Sequence, residues 1–357
     1  MIWGMTMTAL LRPAVAVAAL TAAVSLGGCG GKSTHSQTGA GNGTSKGTQA
    51  TAEPPLTAAG PPAVVATGIP YPEALASDAH GGLWVVSATL GRTPSEGVWY
   101  VPPGGRPMHV GLAGATALLW RGNQLYEAAN TGPGTGQVSL LEGFTGHDFA
   151  HRRVLVHAVP VGSRTIGSIV QGPDGRLFIG TGALGDQGPA GHILSFAPGG
   201  GTPATEATGL RTDLGLAFWG RRLLITVNGP DIAANSPDEL QSFEPGGQVV
   251  DFGFPKCYGQ GGSACTGVPT PLVKFPSHST PEGIVVKDDV AYVADYGSSV
   301  PKYPAPTGII RVDLTTGHTN MFWRSPVPHD LIGLALGPNG DLYAMLTLSG
   351  KVVRFPL

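Results

Sequence analysis

Ile169-Val170-Gln171-Gly172-Pro173-Asp174-Gly175-Arg176-Leu177-Phe178-Ile179-Gly180 is the stretch that decides the fold. Two short apolar runs flank a Gly-Pro-Asp-Gly turn. A third run, His192-Ile193-Leu194-Ser195-Phe196, ends in Ala197-Pro198-Gly199-Gly200. β-Branched and aromatic residues in short runs, punctuated by Gly, Pro and Asp, read as antiparallel strands joined by tight turns. The unit returns near the C-terminus as Leu334-Ala335-Leu336-Gly337-Pro338-Asn339-Gly340-Asp341-Leu342-Tyr343-Ala344, followed by Lys351-Val352-Val353-Arg354-Phe355.

Working outward, the middle run is found six times: at Gly82–Val86, Gln124–Ala128, Arg176–Gly180, Leu223–Val227, Val290–Ala294 and Asp341–Met345. Each is followed by another apolar run, as in Gly97–Val101 and Gly308–Val312. Copies at a period of roughly 40–70 residues, with no helical periodicity between them, predict an all-β, six-bladed β-propeller. The last copy ends on its third strand. Ala63-Val64-Val65-Ala66-Thr67 is therefore expected to supply the fourth and close the ring. The longest insertion, between Asn228 and Glu282, is where function is expected to sit on such a scaffold.

In a propeller the innermost strands surround a channel. Glu73, Thr165, Asp213, Glu282 and Asp330 stand just ahead of these strands. Converging carboxylates repel unless a cation or protons lie among them, and calcium takes such oxygens well. The other reading is structural: each carboxylate accepts hydrogen bonds from the backbone of its own blade.

The 357 residues include 56 Gly and 32 Pro, which suits a chain of many tight turns. Charged residues are 12% and the formal net charge is -2, so no cationic surplus exists to neutralise a nucleic-acid backbone. Arg12, the apolar run Pro13–Leu26 and then Gly27-Gly28-Cys29 read as an export signal ending in a bacterial lipobox. Residues 1–28 are expected to be removed. Cys29 is expected to be lipidated and to anchor a monomeric protein to a cell membrane without spanning it. Residues 29–58 hold almost no large apolar side chain and read as a flexible tether to the propeller, residues 59–357. In that oxidising setting Cys257 and Cys265 are expected to pair.

Several segments in order carry a family resemblance. They are Gly209-Leu210-Arg211-Thr212-Asp213-Leu214-Gly215, Asn228-Gly229-Pro230-Asp231, Pro237-Asp238-Glu239-Leu240, Phe254-Pro255-Lys256-Cys257-Tyr258-Gly259 and Pro276-Ser277-His278-Ser279-Thr280-Pro281-Glu282-Gly283. Together they resemble the glucose/sorbosone dehydrogenase family, six-bladed propellers that use pyrroloquinoline quinone (PQQ) and calcium. The resemblance implies that Arg211 lies over the quinone, that the carbonyls of Gly229 and Pro230 ligate calcium, and that Tyr258 stands near the site. It also implies a histidine base ahead of the third blade, where this chain has Arg164 and no histidine. An arginine cannot accept a hydroxyl proton as imidazole does. The cofactor-holding Lys and Arg of the last two blades are likewise not found. His278 and His329 are the histidines placed to substitute as a base. Three functions follow as expectations. One is a membrane-tethered sugar dehydrogenase with a modified site, another a propeller that only binds a sugar, other small molecule or protein, and the third a calcium-dependent, lactonase-like hydrolase using Glu73, Asp213, Glu282 or Asp330.

Overall fold

The computed structural model describes residues 60–357, apart from 90–91, 163–164, 184, 187, 232–235 and 299. The expected signal segment, Cys29 and the tether lie outside the described residues. Among the described residues no helix is long and apolar enough to cross a membrane. The only helical turn there is Ser263–Cys265.

Six antiparallel sheets follow one another along the chain. Blade 1 is Pro72–Ser77, Leu83–Thr89, Arg92–Val101 and Met108–Gly111. Blade 2 is Ala115–Arg121, Gln124–Gly132, Thr135–Phe144 and Phe149–Pro160. Blade 3 is Ile166–Gln171, Leu177–Thr181, Gly191–Phe196 and Ala204–Leu210. Blade 4 is Thr212–Trp219, Arg222–Asn228, Pro237–Phe243 and Val273–Ser277. Blade 5 is Pro281–Lys287, Val290–Asp295, Gly308–Asp313 and Thr319–Arg324. Blade 6 takes Leu331–Leu336, Leu342–Leu346 and Lys351–Phe355 from the end of the chain and Ala63–Thr67 from its start. Ala63 pairs with Arg354 and Val64 with Val353, which is the expected ring closure.

The innermost strands neighbour one another around the whole circle, the first strand of blade 6 returning to that of blade 1. The core is correspondingly divided into six, each part lying between two blades. Between blades 2 and 3, Tyr126, Val138 and Leu140 meet Ile169, Leu177 and Leu194. Between blades 6 and 1, Met345 and Val352 meet Leu75, Leu83 and Val85. Each large side chain fully buried this way contributes about 1.5–3 kcal/mol. Close approach matters where inner strands touch. A Cβ on Gly333 would collide with the Met345 side chain and lie 2.9 Å from the Glu73 carbonyl oxygen.

Hydroxyl groups stitch neighbouring blades near the channel. Thr116 Oγ1 donates to Ile166 O (3.0 Å), Thr226 Oγ1 to Glu282 O (2.6 Å) and Thr347 Oγ1 to Pro72 O (2.8 Å). These bonds satisfy carbonyls that would otherwise be stranded between sheets. One element has no forerunner in the sequence pattern: Val250–Asp251, from the long insertion, adds in parallel to the outer strand of blade 3 through Ala207↔Val250. The insertion thus covers an edge as well as forming a loop. Within it Cys257 and Cys265 form the expected disulfide.

Candidate ligand site in the central channel

The six inner strands enclose a cavity of ≈ 1350 Å³. Its wall is uneven. Blades 2 and 3 contribute neutral polar groups, among them Thr116, Asn130, Thr165 and Ser168. Blades 4 and 5 and their loops contribute Asp231, Asp238, His278, Thr280, Glu282 and Tyr296, and Glu73 comes from blade 1. Burial raises the Tyr296 phenol above its ordinary range, and the charges of Glu282 and Glu73 raise it further. A phenol from blade 5 therefore lies within electrostatic reach of carboxylates from blades 5 and 1.

The sequence placed four carboxylates at the channel, and they separate here. Glu73 and Glu282 line the cavity. Asp330 does not join them. It is 0% exposed, and its carboxylate accepts from the Ser349 backbone N–H (2.8 Å) and from the Ser349 hydroxyl, holding a turn of its own blade. That geometry follows the structural reading and corrects the four-carboxylate set. The Asp213 side chain lies outside the described residues, as does Arg164. Among the described residues no group of three or more His, Cys, Asp or Glu could hold a metal ion.

Arg211 directly follows the outer strand of blade 3 and reaches the cavity wall. It is 7% exposed and fully engaged with acids. Its Nε donates to Asp186 Oδ1 (2.9 Å), and a terminal nitrogen donates to Asp231 Oδ2 (2.7 Å). The guanidinium is thus paired with one mostly buried carboxylate, Asp186, and one largely exposed, Asp231. Gly229 follows the second strand of blade 4, and its N–H donates to Asp238 Oδ1 (2.7 Å). Only glycine fits there, because a Cβ would overlap Ser236 Oγ. Pro230 beside it is buried.

Asp238 is the residue that sequence reasoning passed over, although it stood in the quoted Pro237-Asp238-Glu239-Leu240. Its other oxygen accepts from Thr280 N (2.7 Å), so one carboxylate joins the Gly229 turn of blade 4 to the entry of blade 5. Burial pushes this acid up, against the pull of the two amides, His278 and Arg211. Asp295, 1% exposed at the end of the second strand of blade 5, is pushed up to about 8. Burial is the main cause; the Gly297 amide opposes it and the charge of Asp238 adds to it. Two buried acids that feel each other's charge are disfavoured from ionising together.

The remaining predicted residues fall in three places. His278 lines the cavity with φ 61°, its ring 5.1 Å from that of Tyr303. His329, also left-handed at φ 59°, lies with its ring tilted 33° against that of Tyr296 at 4.9 Å and is not among the residues that line the cavity. Tyr258 lines a separate small hollow with Glu239, Phe254 and Cys257, where Arg211 and Gly229 form part of both walls.

No protein-family model matches the sequence, and no curated protein matches it. Solved structures do match. The PQQ-bound aldose sugar dehydrogenase of Streptomyces coelicolor superimposes with a TM-score of 0.62 at 20% identity, over 82% of this chain and 96% of that one. In fold, the chain resembles the PQQ-dependent sugar dehydrogenases. A calcium structure of the carbohydrate-active family AA12 protein of Trichoderma reesei gives 0.66 at 15% identity, over 82% and 94%. A luciferin-regenerating enzyme gives 0.54 at 13%, over 83% and 96%, so this scaffold also carries other chemistry.

The described residues do not fit a quinone that bears three carboxylates. Among the described residues Arg211 is the one arginine or lysine on the cavity wall, and it is already ion-paired with Asp186 and Asp231. The amide of Gly229 is likewise taken by Asp238.

Proposed function

We propose that this protein is an extracytoplasmic propeller, anchored by a lipid on Cys29 through a flexible tether, that binds a neutral, polyhydroxylated ligand of the sugar class in its channel. The observation that carries the reading is the composition of the cavity wall. Hydroxyl, amide and carboxylate groups face a space large enough for a small sugar, and the guanidinium among them is already paired with acids. Such groups suit hydroxyl ligands, and anionic ones gain nothing from them. The fold shared with an aldose sugar dehydrogenase and a carbohydrate-active protein supports the same class of ligand.

Sugar oxidation with PQQ and calcium is the next reading, and the fold likeness is what favours it. Against it stands the cavity wall, where the arginine among the described residues is already paired with acids and offers little to three carboxylates. One experiment separates the two. Full-length Cys29→Ser protein, which cannot be lipidated, is titrated calorimetrically with D-glucose and D-galactose, and its melting temperature is followed with PQQ plus calcium. The expected result is saturable aldose binding and no shift with the cofactor pair. A cofactor-dependent rise in melting temperature would favour the dehydrogenase reading, since a ligand of the native state must stabilise it. Absence of aldose binding would remove the sugar reading. Lipidation is checked separately, by the mass of the mature N-terminus.

A further inference from the structure

Thr165 is the odd member of the residues that stand ahead of the inner strands, since Glu73, Asp213, Glu282 and Asp330 are all acids. It has a partner from the neighbouring blade. Its Oγ1 donates to Asn130 Oδ1 at 3.0 Å, across the seam between blades 3 and 2. The other acceptor in reach, Ile166 O, lies at 3.5 Å and is the poorer one. Both side chains are half-buried and both line the channel cavity.

That single bond sets the polarity of the pair. With Oδ1 turned to Thr165, the amide of Asn130 keeps its Nδ2 hydrogens for another partner. Thr165 has spent its one proton and keeps lone pairs to accept with. An N–H donor and a hydroxyl acceptor are therefore held next to each other on one wall. The backbone holds them firmly. Asn130 lies in the paired strand Gln124–Gly132, its N–H bound to Gly114 O (2.9 Å). Thr165 immediately precedes Ile166, which is 0% exposed and opens the inner strand of blade 3.

We infer that Asn130 and Thr165 read a vicinal diol of the ligand: one hydroxyl oxygen accepts from Asn130 Nδ2, and the adjacent hydroxyl donates to Thr165 Oγ1. The inference rests on the reading that the channel takes a polyhydroxylated ligand, and it assigns the subsite. Neither residue carries charge, so the pair selects hydroxyl pairs by donor and acceptor order. A ligand lacking one of the two hydroxyls leaves a polar group on the wall unmatched.

Calorimetry tests this on the full-length Cys29→Ser protein, with D-glucose, D-galactose and their monodeoxy analogues. Asn130→Ala and Thr165→Val should each weaken the parent aldose about three- to tenfold. Neither should further weaken the deoxy analogue that lacks the contacted hydroxyl, and Thr165→Ser should restore binding. Urea unfolding of each variant shows whether the fold is intact. Variants that bind the parent sugar as tightly as the wild type, or losses that simply add to those of the deoxy analogues, overturn the assignment while leaving sugar binding in place. If neither aldose binds the wild type, the sugar reading and this assignment fall together.

Discussion

Replacing Asp295 by Asn should make the protein more stable, and only away from acid. An aspartate in an unfolded chain titrates near 3.9. In the folded protein Asp295 is pushed up to about 8, chiefly by burial. Between these values the folded chain holds a proton that the unfolded chain has released. Stability then falls as pH rises, by about 1.4 kcal/mol per pH unit. The penalty sets in near pH 4 and is complete above about pH 8, and about four units at that slope amount to roughly 5–6 kcal/mol. Asn is neutral throughout and keeps an oxygen for the Gly297 N–H, which donates to Asp295 Oδ1 at 3.2 Å. Urea unfolding followed by tryptophan fluorescence, on wild type and variant across this pH range, gives the comparison. Other buried acids with raised values, such as Glu127 and Glu239, contribute to both proteins and largely cancel in the difference. That difference should be near zero in acid and widen in favour of the variant towards pH 8. A constant difference, or one that widens towards acid, would refute the argument.

Three further outcomes are expected. Arg211→Ala should destabilise the protein by about 2–3 kcal/mol, because Asp186 loses the guanidinium in a mostly buried position; adding Asp186→Asn should recover part of the loss in chemical denaturation. Cys257→Ser should cost about 2–3 kcal/mol, as expected for a short closed loop, and reductant should lower the wild type's melting temperature to a similar degree. Deleting residues 60–67 should leave the Lys351–Phe355 strand as a bare edge and open the ring, read as a large fall in melting temperature and aggregation on gel filtration.

The blades were legible because their signal is local. A short apolar run such as Leu177-Phe178-Ile179 beside Gly-Pro-Asp-Gly states strand, turn and strand within a dozen residues, and six repeats multiply the signal. Closure by Ala63–Thr67 was legible by counting strands, and the disulfide by two cysteines close in a chain expected to be exported. The site was only partly legible. The sequence showed Arg211 in a motif and could not show that Asp186 and Asp231, from separate loops, hold it. It marked Asp330 as a channel acid by position, whereas a hydrogen bond to Ser349 turns it into a turn-former. Asp238 and Asp295 belong to different blades, and nothing in the local pattern of either announces the other. The parallel strand Val250–Asp251 escaped for the same reason: two residues make no period, and its partner lies some 40 positions earlier.

The pairing of Ala63 with Arg354 ties the order of synthesis to the order of folding. The strand that closes the circle is made first, and it must wait beside an empty place until nearly the whole chain exists. Loop closure over that span is entropically costly and comes late. A chain stopped anywhere within blade 6 would present two open rims, one at its first strand and one at its last. The presence of both closing strands is thereby registered in the ring, and proteases or chaperones that sense unpaired strands can read it.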